Sequence, residues 1–406
     1  MKRTSLIVFA FALLSTVVVH SKNRVLEDNT YHRSSLYSIL ISHTDKKFHE
    51  EIENCFVTIP IPDAYNNHDL SVKVVNFDDK IEKVGKDETS KGPKQINSFL
   101  EENQIASRLV GKWFMRDFNT GECYMDLIGS RGIYAASEID KAKAAASLKG
   151  DALLADAGED LIQNTFVLVN DITYIDKANR SRNVGLALKF AGALVATATG
   201  NDDWVAVGSL AGSLAETLKG FSVKVNTSLY QLVWDEEVAA ITYDNWCNKN
   251  AFEQNRGCYK LKYIGNQLSN GGTTSFLGIR EDQPEIMIRK ACQRALDENI
   301  ANLQQNFQVF QIKTPLESVE PLEARVGKKE GITENSRFEV LEPQKDEMGR
   351  ITYKKIGEIK PVPNLIWDNR FMAEEEMAEG ATLGCTTFKK VSGGDFLPGY
   401  LIRQIK

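Results

Sequence analysis

The sequence predicts an α+β protein: an α/β sandwich core of helices on a mixed sheet, interrupted by a helical hairpin and followed by a small all-β module. Three observations carry this reading. Apolar stripes at helical spacing alternate with β-branched runs between residues 94 and 314. Short strand-like segments separated by glycine-bearing turns fill residues 315–406. Within the first of these regions, "FAGALVATATGNDDWVAVGSLAGSLAETLKGF", residues 190–221, reads as two small-residue helices folded at Gly200-Asn201-Asp202-Asp203. At 406 residues the chain has room for two or three cores, and 42% hydrophobic with 26% charged residues excludes wholesale disorder.

Taken in order, Lys2 and Arg3 precede the apolar run Leu6 to Val19, and Val19-His20-Ser21 supplies small residues at a cleavage point. Residues 1–21 therefore read as a secretory signal. Residues 22–93 form an N-terminal arm with a short amphipathic piece, "SSLYSILISH", and two strand-like runs, "FVTIPIP" and "LSVKVVNF". From Lys94 a helix places Ile96, Phe99, Ala106, Leu109 and Trp113 on one face. "CYMDLIGSRGIY" reads as a strand with a glycine turn, and Ser137 to Asp140 as a capping box before the alanine-rich helix 141–162.

"NTFVLVNDITYI", residues 164–175, is a strand by its β-branched content, and "FSVKVNTSLYQLVW", residues 221–234, alternates cleanly. "DEE" then predicts a turn and "VAAITYDNW" a returning hairpin partner, which makes the helical pair 184–219 an insertion between neighbouring strands. "GNQLSNGGTTSFLG" reads as a polar loop. A long helix starts at Pro284, with Ile288, Cys292, Leu296, Ile300, Leu303, Phe307 and Phe310 as its stripe. "LEARVG", "SRFEVLE", "ITYKKIGEIKPV", "TTFKKV" and "YLIRQIK" complete a barrel or sandwich of roughly five strands.

The phrases "RGIYAASEID", "GEDLIQNTFVLVNDITYI" and "VNTSLYQLVWDEEV", with the late long helix, give residues 95–310 a distant resemblance. The region resembles the periplasmic α/β domain of the curli secretion channel family and its penicillin-binding-protein-activator relatives. "ARVGKKEGITENSRFEVLE" looks like the small β module that follows in that family. The chain departs from it in having no lipidated cysteine and a helical insert. The chain also looks like secreted proteins of Bacteroides-type bacteria, a similarity that carries no activity with it.

Composition narrows the chemistry. Loss of Lys2 and Arg3 takes the net charge from −6 to −8, and an acidic product repels phosphate backbones, so no nucleic-acid partner is expected. All five histidines fall at or before His68, and His20 leaves with the signal. A Ser-His-Asp or Cys-His site would need His32, His43, His49 or His68 delivered from the arm, and these read as surface residues. HExxH, GxSxG and GxxxxGK[ST] do not occur in the sequence. The carboxylate runs Asp202-Asp203, Asp235-Glu236-Glu237 and Glu374-Glu375-Glu376 read as solvated faces. No catalytic, cofactor or metal residue is assigned. Of six cysteines, Cys247 and Cys258 flank a polar loop and form the candidate disulfide, with two free thiols as the alternative.

The hairpin is the candidate interaction region, through Trp204, Gly208 and Gly212. Each helix would be ~24 Å long, short of the ~30 Å of a bilayer core. Gly208 and Gly212 form a GxxxG that permits close helix approach. A soluble hairpin covering the sheet, a partner or homo-oligomer face, and membrane contact through 184–219 remain the three readings. The sequence thus points to a non-enzymatic exported protein, periplasmic, outer-membrane-associated or secreted, with an envelope protein as partner. The rivals are a carboxylate-based hydrolase acting on glycans and a glycan-binding surface module.

Overall fold

The computed structural model describes residues 32–77, 92–124, 126–132, 158–175, 220–245, 249–274, 284–345, 351–373 and 383–405. The signal 1–21, the capping box, the alanine-rich segment to residue 157, the hairpin 184–219 with Trp204, Gly208 and Gly212, and Cys247 lie outside the described residues.

The architecture is α+β, as the sequence predicts, with one mixed sheet and one separate antiparallel barrel. The piece read as amphipathic, "SLYSILIS", is β1, Ser35–Ser42, almost wholly buried. It pairs in parallel with β2 (Asn66–Asn67) and β3 (Val74–Asn76) on one edge and with β4 (Thr165–Tyr174) on the other. A parallel strand covered on both faces reads as a nearly unbroken apolar run, which is why period-2 alternation is missing here. β5 (Gly220–Leu232) and β6 (Leu261–Thr274) extend the sheet antiparallel.

Several elements differ from the sequence reading, each for a physical reason. "FVTIPIP" is split, because α1 (His49–Thr58) carries Ile52, Cys55 and Phe56 inward and ends just before Pro60. The single helix from Lys94 is two, α2 (Lys94–Glu102) and α3 (Ile105–Trp113), parted where Gln104 turns left-handed at φ 52°. "CYMDLIGSRGIY" holds a short helix, α4 (Leu127–Gly132), instead of a strand. "VAAITYDNW" is α5 (Glu236–Asn245), not a hairpin partner. Asp235 starts it, its Oδ1 accepting from the Val238 amide at 2.9 Å. After the short α6 (Lys249–Gln254), the true partner of β5 is β6, which absorbs most of the expected polar loop.

Gly271 explains that last difference. A Cβ there would run into the Ala291 carbonyl and lie 2.7 Å from Ala295 Cβ. The glycine marks close approach by α7 (Pro284–Asn306), not a turn. On this face α1 and α7 bury Ile52, Phe56, Ile288, Ala291, Cys292 and Ala295 against Leu40, Ile172, Val223 and Val225. The opposite face receives α2 and α3, with Ile96, Leu100, Ile105 and Leu109 over Tyr37, Ile39, Val167 and Val169. Burial of this kind stabilises by ~25 cal/mol per Å² of apolar surface and holds the sheet between two helical layers.

Asn299 Nδ2 donates to Val225 O at 3.0 Å and Thr227 Oγ1 at 2.9 Å, Thr227 donates to Asn170 Oδ1, and Asn170 Nδ2 donates to Ser38 Oγ. This buried relay fixes the rotation of α7 over the sheet, since each group left unpaired there would carry a desolvation cost.

The C-terminal strands close into a barrel in the order β10-β11-β8-β7-β12-β9. They are β7 (Thr314–Val319), β8 (Leu322–Ala324), β9 (Phe338–Lys345), β10 (Ile351–Pro361), β11 (Thr386–Gly393) and β12 (Leu401–Gln404). Barrel closure settles the barrel-or-sandwich alternative, with six strands in place of roughly five. Closure also removes free strand edges. Leu316, Ala324, Phe338, Val340, Ile359, Phe388 and Ile402 fill the interior.

Sheet and barrel belong to one compact unit, His32–Lys406. Arg294 of α7 donates from Nε and Nη2 to Phe371 O at 3.2 and 3.0 Å. The 3-10 turn Lys328–Glu330 rests on α7, and Gly331, at φ +75°, brings its backbone within reach of Ala301 and Gln305. Glu330 accepts from the Gly327 amide and from Asn369 Nδ2 at 2.7 and 2.8 Å, while Asp368 pairs with Lys328 and Arg370. These ties fix the barrel against the helix.

Candidate functional site

Fixing the barrel on α7 leaves a cleft at the N-terminal ends of β1 and β4, with a cavity volume of about 440 Å³. Its walls come from four places. Arg33 and Ser34 precede β1, Asp160 to Asn164 precede β4, Gln308 to Lys313 link α7 to the barrel, and Tyr353 and Arg403 stand on β10 and β12. Pockets of this size suit a small ligand or an inserted side chain.

The cleft is rich in hydrogen-bond donors. Arg403 is anchored, its Nε donating to Glu339 Oε1 at 2.6 Å. Lys313 is not: its ammonium stands 4.7 Å from the Tyr353 ring centroid and forms no ion pair among the described residues. Burial lowers its pKa from the ordinary lysine value, Arg403 and Arg33 lower it further, and Asp160 acts the other way. Asp160 is the one carboxylate among the lining residues.

A second site candidate lies at the opposite ends of the same strands. β1 delivers His43 beside Asp171 of β4, Nε2 to Oδ1 at 2.7 Å, with both side chains partly exposed. The hydrogen bond to Asp171 raises the imidazole pKa, against desolvation. The pair sits at the carboxyl ends of the parallel neighbours β1 and β4. The neighbouring Ser42 donates its hydroxyl to Glu53 at 2.5 Å, not to His43, so the pair does not continue into a serine nucleophile there. Phe48, Tyr174 and Phe221 cluster at the same corner, with centroids 4.7–5.4 Å apart. From this corner the chain leaves β4 for residues 176–219 and returns at β5.

A third candidate is a crevice between α1 and α7, walled by Leu36, Phe56, Ile59, Pro60, Leu296 and Ile300. Asp297 lines it, and burial pushes that carboxyl up to about 7. A raised acid in an apolar wall suits a general acid. The cavity volume, about 40 Å³, admits a water or two and not a sugar ring. Asp69, the other acid of the lining, is paired with Lys73 at 3.2 Å. The two-carboxylate arrangement of a glycan hydrolase is not built there.

The histidines correct the surface reading. His68 is buried, its ring 4.6 Å from that of Trp113, and burial holds its pKa well below 6.5, with Lys112 and Arg131 adding to the shift. His43 is also engaged, while Asp235, Glu236 and Glu237 are the exposed start of a helix, as read. Among the described residues no cluster of three or more His, Cys, Asp or Glu side chains is placed to hold a metal, and no helix is long and apolar enough to cross a membrane. Cys258 sits partly buried, and its expected partner Cys247 is outside the described residues. Sequence reasoning missed Arg33, Lys313 and Arg403, which lie far apart in the sequence and meet only through the docking of the barrel. No protein-family model matches the chain, and neither does any curated protein.

Proposed function

We propose that this chain is a non-enzymatic exported component of the cell envelope that assembles with another envelope protein. The observation that supports this most is the fixed docking of the barrel on α7 through Arg294, Gly331 and the Lys328–Glu330 turn. That docking makes a rigid platform with a built cleft at one end of β4 and the root of the small-residue insertion at the other. A platform presenting two contact regions suits an assembly part better than an active site, because the cleft lining brings one carboxylate and no histidine. Export rests on the N-terminal run, and the envelope on the distant family resemblance.

The test is site-specific photo-crosslinking in intact cells, with the probe residue placed at Val309 on the cleft rim and at Trp204 in the insertion. A discrete protein adduct from either position, lost in the Gly208→Leu, Gly212→Leu double variant for the second, is the expected result. Recovery of the processed chain only with detergent, with residues 184–219 labelled from the lipid phase, would replace the partner reading by a membrane one. Release of soluble sugars from envelope glycans by the purified chain, abolished by Asp297→Asn, would replace it by an enzyme.

A further inference from the structure

We propose that the cleft between sheet and barrel is an oxyanion-binding site, with Arg33 and Lys313 as the two groups that hold a carboxylate, phosphate or sulfate. The inference does not depend on the assembly reading and stands on the donors themselves. Arg33 enters from the start of β1 with its Nε wholly buried and without a hydrogen-bond partner. Such a group is costly to leave unpaired, and guanidinium nitrogens pair best with oxyanions. Lys313 reaches the same cleft from the α7–β7 linker, with its ammonium over the Tyr353 ring face.

Two cations held in one cavity repel each other, and here Arg403 adds a third. Arg403 is compensated by Glu339, which leaves Arg33 and Lys313 facing Asp160 alone among the lining carboxylates. An incoming oxyanion would neutralise that excess and take the free donors together. Around them Asn164, Gln308 and Gln311 bring side-chain amides to the lining, which can complete the shell of a tetrahedral or planar oxyanion. Burial first, then Arg403 and Arg33, lower the Lys313 pKa against Asp160, as expected where cations outnumber the carboxylate facing them.

The full processed chain is titrated at constant ionic strength with inorganic phosphate, sulfate and acetate, reading heat by calorimetry and the thermal midpoint in parallel. Saturable binding of at least one of the three is expected, with affinity reduced at least tenfold in Lys313→Gln and in Arg33→Gln. Phosphate or sulfate without acetate would assign a tetrahedral group, and acetate alone a carboxylate. Lys389→Gln, which removes an exposed barrel charge, keeps the native affinity. If Arg33→Gln fails to fold, Gln311→Ala serves as the second cleft variant, with a smaller loss. The proposal falls if none of the anions saturates, or if folded Lys313→Gln binds as the native chain does.

Discussion

Asp297→Asn should make the chain more stable at alkaline pH and change little in acid. The carboxyl sits on α7, 8% exposed, with Oδ2 lacking any hydrogen-bond partner. Burial pushes its pKa from 3.8 to about 7; Lys329 and Arg294 pull it down, and Glu330 and Asp63 push it further up. In the fold the proton is kept until about pH 7, whereas the unfolded chain releases it near 3.8. Between those values the unfolded state binds fewer protons, so stability falls as pH rises, and the whole penalty acts above about 7. A rise of about three pH units, at ~1.4 kcal/mol each, sets a ceiling of about 4 kcal/mol. Asparagine has the same shape without the titration, and any constant offset cancels when the two pH profiles are subtracted. From pH 5 to pH 8 the gap between variant and native stability should widen by about 3 kcal/mol in favour of the variant. Urea unfolding at pH 5, 6.5 and 8, at matched ionic strength, measures it. Parallel profiles would mean that Asp297 is already ionised in the fold and that the crevice is wetter than its apolar wall indicates.

Three other outcomes follow from the packing. Gly271→Val should cost about 3 kcal/mol in urea unfolding, because its Cβ would displace α7 at Ala291 and Ala295; a melt unchanged within error would show that the helix yields freely. Cys55 of α1 and Cys292 of α7 lie in one buried cluster, and oxidised glutathione should join them by disulfide exchange. Thiol titration of the denatured, air-protected product should then find two fewer than in the untreated chain, with Cys55 and Cys292 in one disulfide-linked peptide, and an unchanged count would refute it. Asp171→Asn should lower the NMR titration midpoint of His43. The native pair is stabilising below the imidazole's ordinary 6.5 and loses that contribution as pH rises through the raised folded value, with Asp45 adding to the shift and Lys46 opposing it. An unmoved midpoint would place the cause elsewhere.

The sequence was most legible where local pattern and tertiary demand coincide. β4 and β5 combine β-branched content with burial on a sheet, and α7 keeps its stripe from Ile288 to Leu303. It was least legible where burial overrides period. β1 is covered on both faces, so it shows no alternation to find. α5 begins with an Asp cap that resembles a turn, and its Val238-Ala239-Ala240-Ile241-Thr242 run has strand propensity, yet β5 already has β6 along that edge. "SNGGTT" reads as a turn by composition, whereas Gly271 is there for the backbone of a helix passing overhead.

The candidate cleft was illegible for a further reason that follows from these misreadings. Two of its cations sit at the ends of elements, Arg33 just before β1 and Lys313 just before β7, and Arg403 lies within the short last strand. A residue at an element's end can be assigned a position in space only when the element's type and neighbours are known. With β1 read only as a short amphipathic piece, Arg33 had no sheet to precede. With the barrel read as a separate module, Lys313 and Arg403 had no wall opposite them. His43 shows the same dependence from the other end of β1, since only the parallel register Ile41 to Asp171 brings it to its carboxylate. One strand assignment therefore controls both candidate sites. A change that shifts β1 by a residue, such as Ser38→Pro, should lose the His43–Asp171 pair and the Arg33 side of the cleft together, which no local defect at either end would do.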